Sequence, residues 1–209
     1  MWDMDGLADA HLLAFQVSPM NLTTEQLLTI AREYWRPDRY QHLTQQPSPE
    51  DDKREARWEE ALQKVDRWHA FLNDLSQALP GFTIGDGTAT PDACFRCVAY
   101  PVKGRPLPPF DWVVVGCISI LAPIYMVYGI EFERAGKERL GAKVSFEPLP
   151  PQMRQPTDVF ARKIEETFGV GALPREVAEI PVPLVVEWKE PPETRLFHAL
   201  FSNQPESVP

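Results

Sequence analysis

Cys94-Phe95-Arg96-Cys97 is the one place in the chain where two residues able to do redox or metal chemistry stand at a working spacing. A C-x-x-C does redox work when it opens a helix, because the helix N-terminus lowers a thiol pKa. Here Phe95, Val98 and Tyr100 give the segment the character of a strand, on which positions three apart face opposite sides. A single pair is also at most half of a zinc site. The pair therefore reads as structural. The four histidines (His11, His42, His69, His198) are scattered without ligand spacing. Cys97 with His198, or Ser119 with His69, could form a nucleophile–base pair only if the fold brought them together. Gly85-Asp86-Gly87 and Gly169-Val170-Gly171 lack the strand–turn–helix setting and the lysine of a phosphate loop. No catalytic residue, metal ligand or cofactor is assigned from these patterns, and an enzyme would need a site assembled from dispersed residues such as Cys97 or a histidine.

The acids are more informative. Ile130-Glu131-Phe132-Glu133 alternates apolar and acidic residues, and Val144-Ser145-Phe146-Glu147 repeats the pattern beyond the turn-like Ala135 to Gly141. That predicts a hairpin with one wet face carrying Glu131, Glu133 and Glu147. These three are the candidate partner-binding residues, followed by the exposed charges of the second helix. With 21 Lys and Arg against 30 Asp and Glu, net charge is −9. That balance argues against nucleic acid or an anionic membrane as partner, since both reward clustered cations, and a basic protein would suit it better. Three cysteines (Cys94, Cys97, Cys117) are too few for a disulfide framework, and their odd number fits a reducing cytoplasm. The acidic start MWDMDGLADAHLLAF does not read as an export signal.

The elements that must position these groups follow from periodicity. Leu12 to Val17 reads as an edge strand. Thr23 and Gln26 form a capping box, and Leu27, Ile30, Ala31, Tyr34 and Trp35 recur at helical spacing until Pro37. After a polar loop (Gln41 to Pro47), Ser48-Pro49 opens a second helix with a stripe of Trp58, Leu62, Val65, Trp68, Leu72, Leu75 and Leu79, opposite charges that include Lys53, Arg57, Glu60, Lys64 and Arg67; Pro80-Gly81 ends it. Phe82 to Ile84 and Cys94 to Tyr100 read as strands, with a proline-rich loop from Pro101 to Pro109. The uncharged run Trp112 to Ile130 is long enough to span a bilayer. Gly116, Pro123, its β-branched first half and its acidic flanks instead predict two central strands joined near Ala122-Pro123 and buried on both faces. Phe160, Ile164 and Phe168 space a third helix capped by Gly169, a helical turn starts at Pro174, Leu184 to Trp188 reads as a strand, and Leu196 to Phe201 is a last apolar segment.

The 22 prolines sit mostly at the junctions. Helices, then consecutive antiparallel strands, then a helix, then strands again predict a single α+β domain over 1–209, with a mainly antiparallel sheet covered by amphipathic helices. Residues 1–80 form its helical part, 81–201 its sheet-rich part with one helix, and 202–209 a flexible tail. Each face of the central strands then needs a cover: the second helix for one, and for the other the third helix, the C-terminal segment or another copy of the chain.

The phrases VSFEPLPPQM, EETFG, LPREVAE and LFHALF in the C-terminal half resemble a group of bacterial proteins of myxobacterial type. Some of these are similar to immunity partners of polymorphic or contact-dependent toxins. The resemblance covers about half the chain. It implies a cytoplasmic α+β protein that neutralises a cognate toxin by binding it, and it transfers no functional residue. The competing readings are the enzyme above and an oligomerising structural subunit.

Overall fold

The central run forms two adjacent strands. In a computed structural model describing residues 22–37, 48–101, 111–135 and 138–208, β3 covers Trp112–Ser119 and β4 covers Ile124–Ala135. They pair antiparallel with Val114 opposite Gly129 and Gly116 opposite Val127. Strands β1 (Phe82–Asp86) and β2 (Cys94–Pro101) precede them, and β5 (Glu138–Ser145) follows. The sheet runs β1-β2-β3-β4-β5, all neighbours antiparallel, while the short β6 (Gly171–Ala172) pairs parallel to the start of β4. The architecture is α+β. Among the described residues no helix is long and apolar enough to cross a membrane. The expected edge strand at Leu12 to Val17, His11, His42, the loop Gln41 to Pro47 and most of the proline-rich loop lie outside the described residues.

Alternation along the strands builds two cores. On one face, Val113, Val115, Cys117, Met126, Tyr128 and Ile130 pack beneath α1 (Thr24–Tyr34), α2 (Pro49–Leu62) and the C-terminal segment with α6 (Leu196–Leu200). On the other, Cys97, Ala99, Val114, Ile118, Tyr125 and Val127 pack beneath α3 (Val65–Ala78) and α4 (Pro151–Phe168). The chain covers both faces with its own elements. The short α5 (Arg175–Ala178) starts after Pro174 as expected.

Two expectations are corrected. The long second helix is two helices, breaking at Gln63-Lys64. The break lets two tryptophans reach opposite cores and converge on one residue: Trp58 meets Phe95 edge-on at 5.4 Å, and Trp68 stacks on it at 5.2 Å. A straight helix would hold their Cα atoms about 15 Å apart along its axis. Leu184 to Trp188 is not a ladder strand. Among the described residues it makes only isolated bridges, Arg36 with Val185 and Val186 with Lys189.

The glycines of the central run have a packing role. A Cβ on Gly116 would lie 2.9 Å from Cδ2 of Phe160 and 3.2 Å from Sγ of Cys97; one on Gly129 would overlap Sδ of the buried Met153. Both positions let α4 approach the middle of the sheet closely. Gly129→Ala is therefore expected to destabilise the fold by about 1–3 kcal/mol through overpacking. Met153→Ala in that background should recover part of the loss, giving non-additive energies in a double-mutant cycle by chemical denaturation. Strict additivity would show that Gly129 does not set this contact.

Candidate interaction surface

The most exposed large apolar side chain among the described residues is Trp188, at 77 % of its full accessibility. It is held out by a tight turn. Val186 N–H donates to the Lys189 carbonyl and Lys189 N–H to the Val186 carbonyl, both at 2.9 Å, closing a two-residue loop with Glu187 and Trp188 at its tip. Glu187 has φ +53°, a left-handed conformation that costs a non-glycine residue about 1–2 kcal/mol. Neighbouring contacts hold the turn in place. Val185 N–H donates to the Arg36 carbonyl at 2.7 Å, and the Glu187 carboxylate pairs with Arg54 at 3.6 Å.

Arg54 connects this turn to the helices behind it. Its guanidinium lies 4.0 Å over the Trp35 ring, donates to the Tyr34 carbonyl at 2.7 Å and pairs with Asp51 at 2.6 Å. Asp51 also belongs to the capping box of α2, in which its backbone N–H donates to Ser48 Oγ at 3.0 Å. Hydrogen bonds from Ser48 and Arg54 hold the Asp51 carboxyl below its ordinary range against the opposing effect of burial. Beside the turn lies a cleft of about 380 Å³. Its lining includes Asp51, Glu55, Glu59 and Glu187, with Arg54 the one cation among the described residues. Leu62, 48 % exposed, and Pro91 add apolar surface. Trp188 thus projects from a braced turn beside an acidic, partly apolar cleft.

The structure separates the sequence-derived acids. Glu131 and Glu133 share one face of β4; Glu131 stands opposite Lys143 and Glu133 opposite Gly141. Glu147 lies beyond the end of β5, in a different cleft with Tyr125, Thr157 and Arg175. There Tyr125 donates to Glu165 at 2.6 Å, and burial followed by the Glu165 hydrogen bond pushes the phenol well up. The charges named on the second helix, Lys53, Arg57, Glu60, Lys64 and Arg67, do not line the cleft beside the Trp188 turn; the acids that α2 places there are Asp51, Glu55 and Glu59. Sequence reasoning missed Trp188 itself, Arg54 and Glu187, because Leu184-Val185-Val186 before the tryptophan reads as the start of a buried strand.

The cysteines behave as packing residues. Cys94 and Cys97 are buried in different cores, as alternation along β2 requires, and burial pushes both thiols well up, away from the reactive thiolate. Cys97 and His198 stand on opposite sides of the sheet. Ser119 Oγ accepts from Leu121 N–H at 3.1 Å, whereas His69 is exposed on α3. Among the described residues no group of three or more His, Cys, Asp or Glu side chains could hold a metal ion.

Next to Cys94 is a buried charge that the sequence did not signal. Arg96 donates to the Gly87 carbonyl at 2.9 Å and Ser202 Oγ at 3.2 Å, and pairs with the buried Asp92 at 3.4 Å. Tyr128 donates to the Pro205 carbonyl at 3.1 Å. Ser202, Asn203 and Pro205, which the sequence places in a polar tail, are buried here.

The fold and surface define the class only to the level of an α+β protein with an exposed aromatic turn beside acidic side chains. Comparison of the chain with protein-family models, curated proteins and solved structures finds no match in any of the three.

Proposed function

We propose that this chain is a non-enzymatic binding protein that captures a basic protein partner at the Trp188 turn. The observation that carries the reading is the exposure of Trp188 on a turn braced by Glu187 and Arg54. An exposed indole costs solubility, and a left-handed glutamate costs stability, so the pair suits an anchor presented in advance to a partner. Tryptophan is the residue type most enriched among such anchors. The surrounding carboxylates on α2 would steer a basic partner to it and exclude acidic ones.

The resemblance to immunity proteins supplies the kind of partner: a cognate toxin, neutralised in the cytoplasm by occlusion. The test is co-expression with the toxin-like product encoded beside the gene. Wild-type chain should rescue growth and bind that product. Trp188→Ala should weaken binding by about 30-fold or more, the size of a hot-spot loss. Glu55→Lys with Glu59→Lys should slow association and blunt its salt dependence. Glu131→Gln with Glu133→Gln should leave binding within about threefold, as for peripheral contacts. Failure to rescue or bind sinks the immunity reading. Loss in the Glu131/Glu133 variant with none in Trp188→Ala moves the surface to β4.

A further inference from the structure

One edge of the sheet is β5, and among the described residues it pairs with β4 and with no other strand. At the opposite edge β1 is 5 residues long, whereas β5 runs for 8 without a proline. Trp112, the first residue of β3, stands opposite Glu131, so from Glu133 onward β4 has only β5 beside it among those residues. A two-stranded ribbon is marginal on its own, and its unpaired N–H and C=O groups are a template for a further strand.

The two faces of this ribbon differ. Alternation puts Leu140, Ala142 and Val144 on the face that carries Ile130 and Phe132, since Ile130 stands opposite Val144 and Phe132 opposite Ala142. Ala142 is exposed there, and Leu140 is 66 % exposed. The other face carries Glu131, Glu133, Gly141 and Lys143. On it the Glu133 side chain lies across Gly141: a Cβ on that glycine would stand 3.4 Å from Glu133 Oε2. The missing side chain leaves the carboxylate accessible from the open edge.

We propose that β5 pairs antiparallel with β5 of a second copy of this chain, about a two-fold axis at Ala142. Leu140 then faces Val144 of the copy and Ala142 faces its own counterpart, which makes the apolar stripe continuous across both chains. Gly141 faces Lys143 of the copy. That ammonium falls between Glu131 of its own chain and the Glu133 that crosses Gly141, and symmetry repeats the contact. Moving the axis to Gly141 would set Arg139 opposite Lys143, and moving it to Lys143 would set two lysines face to face. Like charges directly opposite are destabilising. The pattern thus suits one register and suits this same strand, which singles out a second copy over an unrelated segment. The pairing rests on no part of the reading at Trp188.

The test is sedimentation velocity on the full chain over a range of concentrations. A pairing of about seven residues a side is a small interface, so a dissociation constant of roughly 1–100 µM is expected. Lys143→Glu sets a carboxylate against Glu133, and Glu133→Lys sets an ammonium against Lys143; each should weaken association at least about tenfold. The two changes together re-form the pair with its signs exchanged and should recover most of the loss, which a general loss of fold would not do. Cross-linking checks the axis, since the native Cys94, Cys97 and Cys117 are buried. Ala142→Cys should join two chains under a mild oxidant, two thiols giving one disulfide while the oxidant takes up two electrons and two protons are released. Ser145→Cys should not, because its counterpart lies about six residues along the strand, roughly 20 Å away. The proposal is overturned if the chain is monomeric at about 1 mM, which would leave the edge to a strand of another protein. It is equally overturned if either single charge variant associates as wild type does, if the double variant stays as weak as the singles, or if Ser145→Cys cross-links as readily as Ala142→Cys.

Discussion

Arg96→Met is expected to destabilise the fold by about 3–5 kcal/mol in chemical denaturation, the cost of leaving one member of a buried ion pair without the other. Arg96 sits on β2 beneath the C-terminal segment with its charge nearly excluded from water. Burial opposes that charge, and Tyr128 and Asp92 beside it favour it. Asp92 shows the same balance with the other outcome: desolvation raises its pKa despite Arg96, Ser202 and Asn203. Removing the guanidinium leaves that carboxyl without its counter-charge and deletes the bonds to Gly87 and Ser202. Asp92→Asn in the same background should recover at least half of the loss, because the remaining group is neutral. The loss should also shrink in acid. A carboxyl whose folded pKa is raised favours the fold below its unfolded value, 3.8, and loses that contribution as pH rises. Amide exchange should quicken from Ser202 to Gln204, in the segment that Arg96 and Tyr128 hold. An Arg96→Met variant within about 0.5 kcal/mol of wild type, the range of ordinary surface substitutions, would show that the pair is not buried as described.

His198 should make the protein acid-labile well above the range of its carboxylates. Burial, with Lys189 and Arg195 nearby, lowers the imidazole from 6.5 to about 3. Its Nδ1 accepts from Arg195 N–H at 2.8 Å, a bond that needs the neutral ring. Below 6.5 the unfolded chain takes up a proton that the folded chain refuses, so stability is present above that pH and is lost as pH falls. The expected slope is about 1.4 kcal/mol per pH unit. Glu50 and Asp51 also have lowered pKa values, but they act only below their ordinary 4.5 and 3.8. Between 6.5 and 4.5 the decline therefore belongs chiefly to His198. His198→Asn keeps an acceptor where Nδ1 stands and removes the titration, so its stability should be nearly flat across that window. A wild-type curve as flat as the variant's would mean that the ring is hydrated in the fold.

Several elements were legible because the physics is local. Thr23 and Gln26 satisfy each other's backbone donors at 3.2 and 2.8 Å, as their spacing implied. Phe160, Ile164 and Phe168 lie on α4, and Gly169 ends it at φ +67°. The uncharged run became β3 and β4 because Val, Ile and aromatic residues without charges suit strands covered on both sides. The Gln63-Lys64 break was hidden because the apolar stripe continues through it. Across it Trp58 and Trp68 both meet Phe95, which a strand far along the chain contributes. Trp188 was hidden for the opposite reason: apolar neighbours made it read as buried, and only the left-handed Glu187 turns it outward.

By itself, then, the sequence determined the class of most elements (though not of Leu184 to Trp188), the α+β order, the burial of the central strands and the separation of Cys94 from Cys97. Each rests on a period, a cap or a composition within a few residues. Tertiary structure alone decided which helix covers which face, that Arg96 and Asp92 meet inside, and that Trp188 stands in solvent beside acids. These depend on distant segments meeting, and neither spacing nor composition encodes where two remote side chains come together.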